Sequence, residues 1–158
     1  MPITSLDEVT VLGLSNTDPN YIKITADMSS ATWNADATHE ILIVTGVVHV
    51  KIVCECVATL TDTAGNGTIS LGIDTDADLW IADTDSDTVL TATLWYNDTP
   101  ATNNTTTTVV IDKIVSGADI GYEIDGEALT GGTMAFHCWW EPISTGSSVT
   151  AGAGGVLA

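Results

Sequence analysis

Apolar and polar residues alternate along residues 48–60, the second half of the longest apolar stretch in the chain. Every even position in this range is apolar, whereas the odd positions include His49, Lys51 and Glu55. A period of two places alternate side chains on opposite faces of a sheet. The many β-branched residues suit a pleated backbone better than a helix. The pattern therefore predicts a long β-strand with one buried face.

The first half of the same stretch, residues 39–47, has a different pattern. Residues 41–44 are apolar without interruption, which predicts a strand end that is covered on both faces. Gly46 lies where the pattern changes, as a bulge or a bend in a strand requires. We therefore expect residues 39–60 to form one central strand that bends at Gly46.

Shorter alternating segments, separated by turns rich in Gly, Asp, Asn and Pro, occupy the rest of the chain, and no segment has a helical period. Roughly eight or nine strands in one domain predict an all-β antiparallel sandwich or barrel. A jelly-roll β-sandwich fits the strand number and the long bent strand best. An immunoglobulin-like or fibronectin-like sandwich is the next choice. The turns at residues 61–67 and 116–119 predict two hairpins.

The two ends of the chain differ from its middle in composition. Residues 1–20 contain one short apolar run and are predicted to form an extended N-terminal arm. Residues 21–143 contain the predicted strands of the sandwich domain. Residues 144–158 are rich in Gly, Ala and Ser, which predicts a flexible or extended C-terminal tail.

The charge of the chain excludes several classes of function. Asp and Glu number 21 against three lysines and no arginine, for a formal net charge of −18. Binding to nucleic acid through phosphates requires clustered Lys and Arg, so this chain is not expected to bind nucleic acid. Anionic membranes are disfavoured for the same reason, and no apolar run has the length of a membrane-spanning helix. The first residues show no signal peptide.

Few residues offer chemistry for catalysis or for a cofactor. No nucleophile motif or phosphate-binding loop is present, so we expect a non-enzymatic protein without a cofactor. Cys54, Cys56 and Cys138 are odd in number and are predicted to be buried free thiols. A zinc site that adds His137 is disfavoured, because His137 and Cys138 point to opposite faces of one strand.

The acidic stretch at residues 74–88 is the segment of the chain that most resembles a metal-binding site. Its carboxylates could supply the hard oxygen ligands that calcium prefers. The spacing fails the EF-hand pattern, because Leu79 and Asp85 occupy the positions of its glycine and glutamate. Solvated turns between strands are therefore the preferred interpretation. The candidate calcium ligands are Asp74, Asp76, Asp78, Asp83, Asp85 and Asp87.

Five tryptophans are many for a chain of this length. Aromatic residues dominate both cores and subunit interfaces. Trp139 and Trp140 are adjacent on a predicted strand, so one ring is expected in the core and the other in an interface or under a loop. The residues predicted to contact a neighbouring subunit are Val9, Val11, Leu12, Leu14, Trp33 and Trp139.

The pattern over residues 39–143 resembles small structural proteins of tailed bacteriophages, particularly head decoration (cement) proteins. The segments that carry the resemblance are HEILIVTG at residues 39–46, NDTP at 97–100 and GGTMAFHCWWEP at 131–142. The resemblance implies a virion protein on the outer capsid surface, made in the host cytoplasm. It further implies a homo-oligomer, with a trimer favoured, whose N-terminal arm contacts the major capsid protein.

Two other functions are compatible with the sequence. A phage tail or fibre protein with a jelly-roll fold would bind a receptor through a concave site. A calcium-dependent carbohydrate-binding module would use the acidic stretch together with exposed tryptophans. An enzyme is the least favoured class.

Overall fold

The computed structural model describes residues 20–86, 94–96 and 112–154. Within these ranges the chain forms ten β-strands, and no helix there is long and apolar enough to span a membrane. The strands are β1 (Tyr21–Asp27), β2 (Thr38–Thr45), β3 (Val47–Thr61), β4 (Thr68–Ile73), β5 (Asp76–Asp85), β6 (Leu94–Tyr96), β7 (Asp112–Ser116), β8 (Ile120–Asp125), β9 (Gly131–Pro142) and β10 (Ser148–Ala151).

The strands form two antiparallel sheets of five strands each. In the first, sheet A, β1 pairs with β9, β9 pairs with β3, and both β6 and β7 pair with β3. In the second, sheet B, the order is β10-β2-β8-β4-β5. The all-β sandwich predicted from the alternation is therefore confirmed. The jelly-roll connectivity stays a prediction, and the N-terminal arm lies outside the described residues.

The predicted central strand is in fact two strands that belong to different sheets. β2 lies in sheet B and β3 lies in sheet A, and Gly46 joins them with a φ of 71°. A Cβ at Gly46 would come within 2.9 Å of the Ser144 and Ser147 side chains, so the corner has no room for a larger residue. The bend at Gly46 was predicted, but the expectation of one continuous strand is wrong, because a local period does not show which sheet a strand joins.

The interpretation of residues 41–44 as covered on both faces is also wrong. A β-bulge between Glu40 and Leu42 turns both Ile41 and Leu42 into the interior. Ile43 is 39% exposed on the outside of sheet B. The uninterrupted apolar run is thus explained by a bulge and one exposed isoleucine.

Neither predicted hairpin forms, because each turn carries the chain from sheet A to sheet B. β3 is followed by β4, and β7 by β8, and the members of each pair lie in opposite sheets. Asp62 holds the first crossing, since its carboxylate accepts hydrogen bonds from the backbone N–H groups of Gly65 (2.7 Å) and Gly67 (2.8 Å). Gly117, with a φ of 62°, makes the second crossing and donates a backbone hydrogen bond to Gly46.

The core fills the space between the two sheets. Tyr122 of sheet B stacks on Phe136 of sheet A, with ring centroids 5.4 Å apart. The three cysteines are free and buried on the inner face of sheet A, as predicted. Burial raises the pKa of Cys56 to about 11 and that of Cys138 to about 12, so neither thiol has the thiolate character of a nucleophile or a ligand.

Of the two alternatives predicted for the C-terminal segment, a flexible or an extended tail, its described residues follow the extended one. Ser148–Ala151 forms β10, the edge strand of sheet B that pairs with β2. The following residues continue along β2, where Gly152 and Gly154 donate backbone hydrogen bonds to Ile41 and Glu40. Small residues allow this close approach, because a Cβ at Gly154 would collide with the Trp33 ring. The composition of this segment allows flexibility, but its backbone hydrogen bonds with β2 at the edge of sheet B hold it extended.

Candidate functional site

The two sheets differ sharply in charge. The strands of sheet A contain all three lysines of the chain against four carboxylates. The strands of sheet B contain no lysine and seven carboxylates. Lys113 is paired with buried Val50 and interacts electrostatically with Asp76 of sheet B, so the outer face of sheet A has two lysines against four carboxylates. Sheet B is the more anionic of the two, and a less anionic surface can approach another protein at a lower electrostatic cost.

The register of sheet A arranges the polar side chains of its outer face in rows across the strands. One row runs from Tyr21 through Trp139 and Lys51 to Asp112, which are directly paired from strand to strand. Residues directly opposite each other on neighbouring strands project from the same face and contact one another. The Lys51 ammonium accordingly lies 5.6 Å from the Trp139 ring centroid. The Tyr21 ring lies 5.1 Å away from the Trp139 ring.

In the next row, His49 lies between one apolar and one charged neighbour. His49 is paired with Ile114 on β7 and with Glu141 on β9. Its Nδ1 atom lies 3.9 Å from Glu141 Oε2, and its Nε2 atom lies 3.3 Å from Asp112 Oδ1 in the row of Lys51. One imidazole thus lies between two carboxylates that are both largely open to solvent.

A groove of about 330 Å³ runs over these rows. We call it the β7–β9 groove; the residues that line it are Asn20, His49, Lys51, Asp112, Trp139, Trp140 and Glu141. Its floor is β3, and its sides are β7 and β9. These two strands flank β3 in the sheet and therefore lie roughly 10 Å from each other. The groove combines an aromatic ring, a cation, an imidazole and two carboxylates, so it can recognise a polar group that has an apolar stem.

A second polar cluster lies farther along the same face. The Tyr21 hydroxyl lies 2.7 Å from Nδ1 of His137, and Nε2 of the same ring lies 3.3 Å from Glu55 Oε2. The neutral ring satisfies both contacts when Nε2 carries the proton. These contacts support the Tyr21 ring against Trp139, so the wall of the β7–β9 groove is held by neighbouring strands.

Large apolar side chains are also exposed on sheet A. Ile114 is 70% exposed, Val57 is 43% exposed and Trp139 is 38% exposed. Ile114 lies beside His49, at the rim of the β7–β9 groove. Exposed apolar groups on the same face as a polar groove are typical of a surface that binds another protein.

The other predicted interface residues do not all lie on this face. Val9, Val11, Leu12 and Leu14 lie outside the described residues. Trp33 is half-buried against the core and stacks on Tyr122 at 6.4 Å. The neighbouring Trp140 packs against the core, which leaves Trp139 as the exposed member of the pair, as the alternation predicted.

The acidic stretch forms a strand instead of the predicted solvated turns. Asp76, Asp78, Asp83 and Asp85 all lie on β5, and only Asp74 precedes it at the turn from β4. Asp87 lies outside the described residues.

The pairing of β5 with β4 is irregular between Asp76 and Ile81, where five steps along β5 face two steps along β4. A hydrogen bond with Asp78 raises the pKa of Asp76, as expected for two carboxyl groups at close range. Within the described residues, no three of the Asp, Glu, His and Cys side chains are grouped as a metal site requires.

The sequence pattern did not identify the β7–β9 groove. Its members come from four segments of the chain that only the strand register brings together. The available signal was the odd-numbered set of polar residues on β3, which marks the outer face and includes His49 and Lys51. Nothing in that pattern identifies Asp112 or Glu141 as their neighbours.

Comparisons with known proteins give little beyond this geometry. No protein-family model matches the chain, and no curated protein matches it. Among solved structures, the chain is similar to a chain of the acidic stable capsid structure of Helicobacter pylori bacteriophage KHP30. The similarity has 13% sequence identity and a TM-score of 0.30, and it covers 82% of this chain and 98% of that chain. At this level the likeness carries no inference about fold or function.

Proposed function

We propose that this protein is a non-enzymatic structural protein of a tailed-bacteriophage virion. It decorates the outer surface of the capsid and stabilises it through contacts with the major capsid protein. The observation that carries the proposal is the difference between the two outer faces: sheet A has lysines among its carboxylates and exposes three large apolar groups, whereas sheet B is more strongly anionic.

This difference supports a defined orientation on a partner. Sheet A turns its exposed Ile114, Val57 and Trp139 toward the capsid, where their burial contributes apolar free energy. Sheet B and its seven carboxylates face the solvent and keep the assembly soluble. The anionic charge also opposes contact with the genome, in keeping with an outer position.

The viral context rests on the resemblance of residues 39–143 to head decoration proteins. In the described part, this range consists of strands of the two sheets with short connections. The resemblance adds an oligomer, with a trimer favoured, and an N-terminal arm that contacts the major capsid protein.

Reconstitution of capsids tests the proposal. The full chain is mixed with capsids assembled from the major capsid protein of the same genome, and binding is followed by co-sedimentation. We expect saturable binding at a fixed ratio to the capsid subunits and a higher melting temperature of the decorated capsid. A stable monomer that leaves the capsid undecorated and its melting temperature unchanged would contradict the proposal.

Labelled antibody on intact virions tests the location separately. Label over the head surface is expected. Label confined to the tail or fibres would instead support a receptor-binding role and overturn the decoration proposal.

A further inference from the structure

The β7–β9 groove indicates which side chain the partner supplies. We propose that it receives a basic side chain of the partner protein, with arginine fitting best, and that Asp112 and Glu141 bind its charged head. The inference rests on the proposed function, because it assumes that the outer face of sheet A is covered by the partner.

Desolvation provides the first argument. Asp112 and Glu141 are exposed in the free protein, with 51% and 78% of their side chains open to solvent. When a partner covers sheet A, both carboxylates leave water, and a buried carboxylate without a counter-charge is costly. The imidazole of His49 lies between them and offers at most one positive charge for two negative ones. A cation from the partner restores the balance.

The position of Lys51 provides the second argument. Lys51 is the groove's own cation, but its ammonium lies over the Trp139 ring. In the free protein Lys51 therefore covers the aromatic wall, and the carboxylate end of the groove, around His49, is left for an incoming group. The titratable and charged groups that face this end are His49, Asp112, Glu141 and Lys51. Together they favour a cation over an anion.

The shape of the groove favours arginine. A volume of about 330 Å³ admits a long side chain with its apolar stem, and Ile114 at the rim offers that stem an apolar contact. The guanidinium group presents its donors in a planar fork that matches a carboxylate in a bidentate manner, and it stacks on flat rings such as His49. The net charge of −18 also attracts a basic segment before contact.

Paired charge variants test the inference on capsids. The variant Asp112→Asn with Glu141→Gln removes two carboxylates from the groove. The control Asp83→Asn with Asp125→Asn removes two exposed carboxylates from sheet B, so both variants have the same net charge. We expect the groove variant to bind capsids about 10- to 100-fold more weakly, and the control to bind within about twofold of the unmodified protein. Equal binding of both variants would overturn the inference.

A titration without capsids separates this inference from the proposed function. N-acetyl-arginine amide and its neutral isostere N-acetyl-citrulline amide are titrated into isotopically labelled full chain and followed by NMR. We expect arginine to shift the Trp139 and Ile114 signals at millimolar concentration and citrulline to leave them unchanged. Shifts spread over the acidic residues of sheet B, or equal shifts with both compounds, would overturn the inference.

The two experiments fail in different ways. If the unmodified protein does not bind capsids but arginine still binds in the groove, the decoration proposal fails and the basic-ligand site stands. If the protein binds capsids and the groove variant binds equally well, decoration stands and the groove is not the contact.

Discussion

The outer faces of the two sheets follow the same alternating pattern but differ in the residues that fill it. Sheet A has Tyr, Trp, His and Lys side chains among its carboxylates, and they contact one another across the strands. On sheet B, the exposed positions are mainly carboxylates and threonines, together with Ile43 and Ala151. A period of two only requires that polar residues face outward. Which polar residues are present determines whether a face repels or binds another protein.

The difference extends to the histidines. His49 and His137 lie on the outer face of sheet A, whereas His39 of β2 in sheet B is buried. The Nε2 atom of His39 lies 2.9 Å from the carbonyl oxygen of Ala35, and its Nδ1 atom lies 3.1 Å from that of Thr32. Sheet B thus uses its imidazole to hold the polar connection before β2.

The largest expected effect is on stability and compares these histidines. His39→Ala removes the ring contacts with the carbonyl oxygens of the connection and the stacking on Tyr122 at 5.0 Å. We expect it to lower the free energy of unfolding by about 2–4 kcal/mol, whereas the matched variant His49→Ala changes it by less than about 0.5 kcal/mol. Urea denaturation measures both. Equal losses would show that the two histidines do not differ in structural role.

The next effect is on binding and compares one isoleucine from each face. Ile114→Glu places a charge on the proposed docking face, and Ile43→Glu places the same charge on sheet B. We expect the first to weaken capsid binding by about 10- to 30-fold, as loss of a well-packed interface residue does, and the second to leave it unchanged. Co-sedimentation with capsids at several protein concentrations measures the affinities. A larger loss for Ile43→Glu would reverse the assigned orientation.

The smallest effect concerns Asp62, in the turn that links the two sheets. Desolvation raises the pKa of Asp62, but hydrogen bonds from the Gly67 and Gly65 backbones and from the Ser86 hydroxyl outweigh it, so the pKa lies below its usual value. A carboxylate with a lowered pKa stabilises the fold above its unfolded pKa, and this contribution is lost as the pH falls through the folded pKa. The ionised form therefore contributes fully above about pH 5.

Solvent exposure keeps this contribution small, so we expect Asp62→Asn to cost less than about 1 kcal/mol at pH 7. The difference from the unmodified protein should shrink as the pH falls below 4. Thermal denaturation at pH 7, 5 and 3 measures it, with Asp83→Asn as an exposed control. A constant difference across this pH range would show that the hydrogen bonds do not depend on ionisation.

Several features could be predicted from local pattern. The alternation on β3 predicted its buried even positions, including the two cysteines, and the adjacent tryptophans on β9 were correctly assigned to opposite faces. These predictions succeeded because the side-chain direction in a strand depends only on the backbone of that strand. The β-bulge at Ile41 was missed, because an inserted residue changes the direction without changing composition.

The site was less predictable than the fold. Trp139 was among the predicted interface residues, and the structure exposes it in a groove. His49 and Lys51 were identified as the polar side of a strand, but no partner could be assigned to them. The carboxylates of the acidic stretch are close in sequence, which suggests a calcium site, yet within the described residues no three of them are grouped as a metal site requires.

The sequence by itself determined that the chain is a β-sandwich, which side of each main strand is buried, and that its net charge is strongly negative. These properties follow from the two-residue period and from composition, which do not depend on how strands pair. Only the tertiary structure decided that Gly46 divides the apolar stretch between two sheets and that the lysines all lie in one of them. It also brought His49, Asp112, Trp139 and Glu141 into one groove, because register across strands depends on contacts between residues distant in the sequence.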